Sequence, residues 1–224
     1  MDFQVITDNF SFLIVQGLFG IGAFAGGTLR LAGPAIVLGF TLGTGIGLAR
    51  LSSRPGLSLA AKIYIDFFRG VPLVMVIFWF WFIVPALAGR SLSEYVVALA
   101  AFVIFEAAYL AEIVRAGILS VPRGQVEAAT ASGLRHGQVM RFVVLPQALR
   151  NMIPALVTQF IVLLKDTSLA SIIGYVDLTK AAQIVNNREI RPFEIYLFIA
   201  AIYWLCSYSM SLYARRLERN LAAP

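Results

Sequence analysis

The chain has one cysteine, Cys206, and one histidine, His136, in its 224 residues. A single cysteine excludes an intrachain disulfide, and a single histidine excludes a histidine-rich metal site. Charge is scarce as well. Only 13% of residues are charged, against about 25% in a soluble domain. A chain so poor in charge cannot cover an aqueous surface, whereas lipid accepts apolar side chains. There is no G-x-x-x-x-G-K-[ST] stretch and no Gly-Lys dipeptide, so the loop that cradles ATP phosphates is missing. Residues Met1 to Asn9 carry Asp2 and Asp8 but no Lys or Arg. That is the reverse of the basic start of a cleavable signal peptide, and none is expected.

What is present is apolar: 59% of residues are hydrophobic and the mean hydropathy is +0.82. The net charge of +6 is not gathered into one patch. The basic residues stand between and beside long hydrophobic runs, as topology-setting charges do. A lipid bilayer is therefore the expected partner, and nucleic acid is not.

About 20 apolar residues cross the hydrocarbon core of a bilayer as a helix. Four runs meet this length: Gly70–Gly89, Tyr95–Ile118, Phe142–Leu164 and Ile195–Ala214. At the N-terminus, Phe10–Leu29 and Leu31–Ala49 are divided only by Arg30. Two spans joined by a tight turn at Gly26-Gly27 would account for them. The alternative is one span near Thr28 to Ala49, preceded by a helix lying in the interface. The second is preferred, because the first run is rich in glycine and aromatics. The fold class expected is all-α and polytopic, with about five transmembrane helices and an N-terminal interfacial helix. The chain divides into an interfacial segment (1–27), a transmembrane domain (28–216) and a cytoplasmic tail (217–224).

With the N-terminus outside and the C-terminus inside, ten lysines and arginines fall in inner segments and six in outer ones, the bias that the positive-inside rule requires. The stretch from Asp166 to Pro192 becomes the main outer loop, with a short amphipathic helix over Val176–Val185.

One inner loop carries a pattern. Glu127-Ala128-Ala129 is followed by three residues and Gly133, then by nine residues, Val143, one residue, and Leu145-Pro146. Alanines favour helix, and small side chains let a short helix seat closely in a groove. Gly133 permits a turn with positive φ. Glu127 and Arg135 offer charged contacts at the rim, and Pro146 begins or kinks the next span. Such a helix passes a rigid-body push from a soluble partner to the membrane helices. The plain alternative is an alanine-rich loop with no partner.

This spacing resembles the EAA loop of the permeases of ATP-binding-cassette (ABC) importers. Phe67-Phe68-Arg69-Gly70-Val71-Pro72-Leu73 is similar to an element of the polar amino-acid branch of those permeases. So are Phe105-Glu106-Ala107-Ala108-Tyr109, Glu112 to Ile118, Pro146-Gln147-Ala148 and Lys165 to Leu169. The likeness covers roughly residues 28 to 216 and points to the glutamate/aspartate importers. It implies a type I ABC importer permease fold with a cytoplasmic coupling helix, in a bacterial inner membrane. The implied partners are a second permease subunit (the same or a different chain), two cytoplasmic ATPase subunits and an extracytoplasmic solute-binding protein. No cofactor is implied for this chain, since ATP and Mg belong to the partner ATPase. The chain is then not an enzyme. Glu127, Ala128, Ala129, Gly133, Arg135, Leu145 and Pro146 are the coupling residues.

Polar groups inside the spans are the substrate-path candidates: Glu106, Arg69, Lys165, Asp166, Thr167 and Ser168. An acid near mid-bilayer costs about 2.5–3.5 kcal/mol on insertion scales, so Glu106 faces either a polar path or a hydrogen-bonding partner in the bundle. Glu112 and Arg115 are three apart on one helix and are expected to pair. Arg69 is either a carboxylate contact at a helix broken by Pro72 or an interfacial arginine paired with Asp66. Lys165 and Asp166 cannot both point into one path, and the other reading of Asp166, Thr167 or Ser168 is a cap that starts the next helix. The competing function is a standalone secondary transporter or channel using Glu106 as an ion or proton site. A membrane scaffold without transport is the third class, and buried charges such as Glu106 disfavour it, because a scaffold has less reason to bear their cost.

Overall fold

The computed structural model describes residues 4–21 and 26–222, and every regular element among them is helical. Parts of the N-terminal segment, of its glycine run and of the tail lie outside the described residues. Helix α1 (Gln4–Phe10) continues as a π-helical turn over Ser11–Leu18. The chain then enters α2 (Thr28–Arg50), α3 (Pro55–Gly70), α4 (Leu73–Ala88) and α5 (Glu94–Leu119). Short helices α6 (Arg123–Ala131) and α7 (His136–Val139) lead through a π-helical turn into α8 (Leu145–Asp166). A 3-10 turn over Thr167–Ile173, α9 (Leu178–Glu189) and α10 (Pro192–Ala222) complete the chain.

By length and apolarity, four helical runs are able to cross a membrane: Thr28–Arg50, Glu94–Leu119, His136–Ile173 and Pro192–Leu217. A fifth arises if α3 and α4 form one span, bent by 103°. Among the described residues the N-terminal helical run ends at Leu18, and residues 19–21 and 26–27 are not helical, so Phe10–Leu29 is not one spanning helix.

One expectation and one alternative reading need correction, and one helix was not foreseen. The run from Gly70 to Gly89 yields a helix of only 16 residues, α4, because Pro72 stands at its N-cap with extended backbone and breaks it from α3. Helix α3 itself lies where the sequence showed only scattered charges. Its start is set by Pro55 at the first helical position. The cap at Asp166, Thr167 or Ser168 does not form. Helical backbone runs on to Ile173, and the Thr167 hydroxyl turns back to donate to the Leu164 carbonyl at 2.7 Å. The cap belongs to Asp177, whose carboxylate accepts from the amides of Thr179 and Lys180 at 3.0 and 2.9 Å.

Helix α5 is the axis of the bundle. In its most apolar window 56% of residues are buried, against 11% for α10. Ala98, Ala101, Phe102, Ala107, Leu110 and Ala111 are shut off from solvent. Helix α2 lies along it at a distance that only glycine allows. A Cβ on Gly43 would stand 2.8 Å from the Ala107 carbonyl oxygen and from Leu110 Cβ, and one on Gly47 would stand 2.7 Å from the Ala111 carbonyl oxygen. Helix α3 docks on α5 through the Tyr64 hydroxyl, which donates to the Ile104 carbonyl. A second core joins the N-terminal helices to α9 and α10 through Leu13, Leu178, Ala181 and Ile195. Arg188 also donates to the Asn9 side chain there. A third core, with Val121, Ala129, Val139, Ala148 and Met152, holds α6 and α7 under the ends of α5 and α8.

Candidate functional site

The loop pattern becomes a helix with one attached face and one free face. Ala129 is buried in the third core, while Glu127, Ala128 and Ala131 are exposed. Gly133 ends the helix at φ +85, the left-handed region expected of it. Its amide donates to the Thr130 carbonyl at 3.0 Å, and that of Leu134 to the Ala129 carbonyl at 3.2 Å. This crossed pair is the Schellman closure, which satisfies carbonyls the helix end would leave bare. The Gln138 side chain accepts from the Arg135 amide at 2.9 Å and starts α7. Pro146 lies in the first turn of α8, where a proline's missing amide costs nothing. Leu145 remains partly exposed beside it.

The path candidates do not converge on one point; they fall into three places. The first is the seam between α5 and α8. Glu106 is fully buried, and Gln159 Nε2 donates to its Oε2 at 2.8 Å. Its other oxygen, Oε1, is buried with no hydrogen-bond partner. Gln159 and Asp166 are seven residues apart, so they share the same face of α8, and Asp166 is the charged neighbour whose field reaches Glu106. The second place is a cavity of about 340 Å³ that gathers Lys165 and Ser168 with Thr179, Tyr196 and Tyr203. Behind it the Tyr203 hydroxyl donates to Asp177 Oδ2 at 3.1 Å. Lys165 and Asp166 are thus split between these two places, as neighbours about 100° apart on a helix must be.

The third place lies toward α6. The Arg69 guanidinium sits 5.5 Å from the centre of the Tyr109 ring, and no ion pair with Asp66 forms among the described residues. The expected Glu112–Arg115 pair does form, with Arg115 Nε 2.9 Å from Glu112 Oε2. The charges of Arg69 and Arg50 reach Glu112 as well.

Outside the spans, Asp177 has no solvent exposure. Burial pushes its carboxyl up to about 6, and the hydrogen bonds from Lys180, Thr179 and Tyr203 offset only part of that. Burial likewise raises the Tyr175 hydroxyl. Sequence reasoning missed Gln159, Asp177 and Tyr203. Gln159 had a usable signal, being a polar residue two turns before Asp166 in an apolar run. Asp177 had one too, standing just ahead of an amphipathic helix.

A family model described as the inner membrane component of binding-protein-dependent transport systems matches residues 35–223. The chain belongs to this family. The glutamate/aspartate import permease protein GltK of Escherichia coli O6:H1 is 41% identical to it, over 87% of this chain and 90% of the relative. The probable glutamine ABC transporter permease protein GlnP of Bacillus subtilis is 43% identical, over 85% and 88%. A permease of the TcyL type from the same organism, for L-cystine transport, is 34% identical over 87% and 84%. Among solved structures, an amino acid ABC transporter with histidines superposes with a TM-score of 0.90 at 35% identity, covering 98% of this chain and 99% of the other. The methionine transporter MetNI shares the fold at a TM-score of 0.78 and 21% identity, covering 96% and 99%. As a permease of this family the chain is a membrane component with several apolar helices, not itself catalytic, and it works in a system that includes a separate binding protein. A standalone carrier is therefore set aside.

Proposed function

We propose that this permease carries polar amino acids, glutamate or aspartate first, into the cytoplasm by alternating access. The observation that carries the coupling part of this reading is the Glu127–Gly133 segment. Its helical part, through Ala131, exposes Glu127 with the short side chains of Ala128, Thr130 and Ala131, and it hangs from the end of the most buried helix of the bundle. Glu127, Ala128, Ala129, Gly133 and Arg135 would seat in a groove of a partner ATPase, which binds ATP and Mg. Leu145 and Pro146 carry the push into α8. In this arrangement the N-terminus is outside, and α6 and the end of α10 are cytoplasmic. Residues 1–27 lie at the outer interface, 28–216 form the permease domain, and 217–224 are a tail. A second permease subunit, a second ATPase and an external binding protein complete the importer.

Support for the substrate comes from the relatives named for glutamate/aspartate and glutamine. Glu106, Asp166, Lys165, Thr167, Ser168 and Arg69 are the polar groups offered to a path. The test is uptake into proteoliposomes holding the permease with its ATPase and binding protein. ATP-dependent glutamate or aspartate uptake is expected. Transport of a sugar with no amino-acid transport overturns the substrate. Labelling of Ser132→Cys by an impermeant reagent from outside intact cells, in a chain with Cys206 replaced, overturns the orientation.

A further inference from the structure

A cavity of about 420 Å³ lies at the end of the bundle opposite α6, lined by Arg30, Ser93, Glu94, Tyr95, Gly174 and Tyr175. Its size falls within the range of about 300–1,000 Å³ typical of small-molecule sites. Resting on the reading above, we infer that this cavity binds a free zwitterionic α-amino acid, Arg30 taking the carboxylate and Glu94 the ammonium group.

Three observations carry this. First, one cation and one anion face the same space without neutralising each other. Among the described residues, neither Arg30 nor Glu94 forms an ion pair. A plain anion would be attracted by Arg30 and repelled by Glu94, and a plain cation the reverse. A zwitterion satisfies both. Second, Arg30 is held by its face. Its guanidinium lies 5.5 Å from the centre of the Tyr95 ring, an arrangement that leaves the planar edge and its paired N–H donors for a carboxylate. Third, the walls are fixed. Tyr175 is 3% exposed, and its hydroxyl donates to the Gly27 carbonyl at 2.9 Å. Its ring stands 6.1 Å from that of Tyr95. The Gly27 amide donates to the Val176 carbonyl at 2.8 Å, tying the start of α2 to the same loop. Gly174 turns at φ +90, and a Cβ there would come 4.0 Å from Glu94 Cγ, so the Glu94 stem lies over the turn. The cavity shares no lining residue with the Lys165–Tyr203 cavity or with the Glu106 seam.

The experiment measures binding of radiolabelled L-glutamate to the purified full chain in detergent, by equilibrium dialysis. Saturable binding is expected. Unlabelled L-alanine, which keeps both charges, should compete, while propionate and ethylamine, each keeping one, should not. Arg30→Gln and Glu94→Gln should each weaken binding at least tenfold. Arg90→Gln, a neighbouring surface change outside the cavity, should not. Elution as a single peak and an unchanged melting temperature will show that the variants fold. Absence of saturable binding to the wild type, competition by propionate as strong as by alanine, or wild-type binding by both variants overturns the inference. Loss of glutamate binding in nanodiscs of phosphatidylethanolamine, but not of phosphatidylglycerol, assigns the cavity to a lipid headgroup and overturns it too. So does a result in which both variants bind glutamate normally yet fail to recruit the binding protein. If uptake by the reconstituted importer proceeds while this site fails these tests, only the site falls. If no amino acid is taken up, the transport reading falls.

Discussion

Gln159 reaches across from α8 to α5 and donates a single hydrogen bond to Glu106, leaving the second carboxylate oxygen buried and unpartnered. A buried acceptor that loses its donor keeps its full desolvation cost, about 1–3 kcal/mol and more for a charged group. Gln159→Leu should therefore lower the melting temperature of the chain in detergent. Glu106→Gln should lower it less, because an amide retains a carbonyl for Gln159 and needs no counter-charge. A Gln159→Leu chain that melts with the wild type would show that the bond contributes nothing to the seam.

Variants at Gly133 and Glu127 should separate coupling from insertion. A β-branched residue at φ +85 is strained wherever it stands, so Gly133→Val should disturb the end of α6. Glu127→Lys reverses the charge on its exposed face. Both variants should enter the membrane at wild-type levels, while binding-protein-stimulated ATP hydrolysis and uptake fall together. Wild-type hydrolysis and uptake in both would remove α6 from the coupling route.

Asp177 gives a pH dependence of known sign. Its carboxyl titrates near 6 in the fold, above the ordinary value of about 3.9. Between those values the folded chain binds the extra proton, so the contribution is full below about 4 and is lost as the pH rises through 6. The anchoring of α9 should weaken between pH 4 and pH 6.5, seen as faster amide exchange at Thr179–Val185 after correction for intrinsic rates. Asp177→Asn keeps a capping acceptor and carries no charge, so it should flatten that profile. An equal slope in the variant would assign the effect to other groups.

The α2–α5 contact predicts opposite outcomes for two neighbouring glycines. Gly43→Ala forces a methyl into the Ala107 carbonyl and Leu110, and overpacking of this kind costs about 1–3 kcal/mol. Gly45→Ala meets nothing within 4 Å and should be neutral or slightly stabilising, since alanine is the better helix former. Thermal unfolding of the two variants side by side decides; equal melting temperatures would mean that the helices part to admit the methyl.

The spans were legible in the sequence because apolar length alone sets them. Thr28–Ala49 and Tyr95–Ile118 differ from α2 and α5 by a residue or so at each end. The turn at Gly133 was legible because only glycine accepts that backbone cheaply. The α3–α4 elbow was half legible: Pro72 announced a break, but a helix across Lys62 and Asp66 has no long apolar run to reveal it. The seam was not legible from Glu106 alone. A hydrogen bond between residues 53 apart depends on how two helices are rotated about their axes. The cap at Asp177 was lost to a local rival, since Asp166, Thr167 and Ser168 form just as good a capping string. The continuation of α8 into a 3-10 turn decides against them.

Helix α5 has 26 residues, which at about 1.5 Å each make a rod of roughly 39 Å. Set close against α2 at Gly43 and Gly47, where Leu110 and Val114 also pack, it makes a stiff lever rather than a flexible cable. Val121 and Pro122 fasten α6 to one end of that lever, and Tyr95 stands at the other. Were a partner to tilt α6, this lever would carry the tilt toward its far end, and a small rotation about the middle, where Glu106 meets Gln159, would swing the two ends in opposite directions.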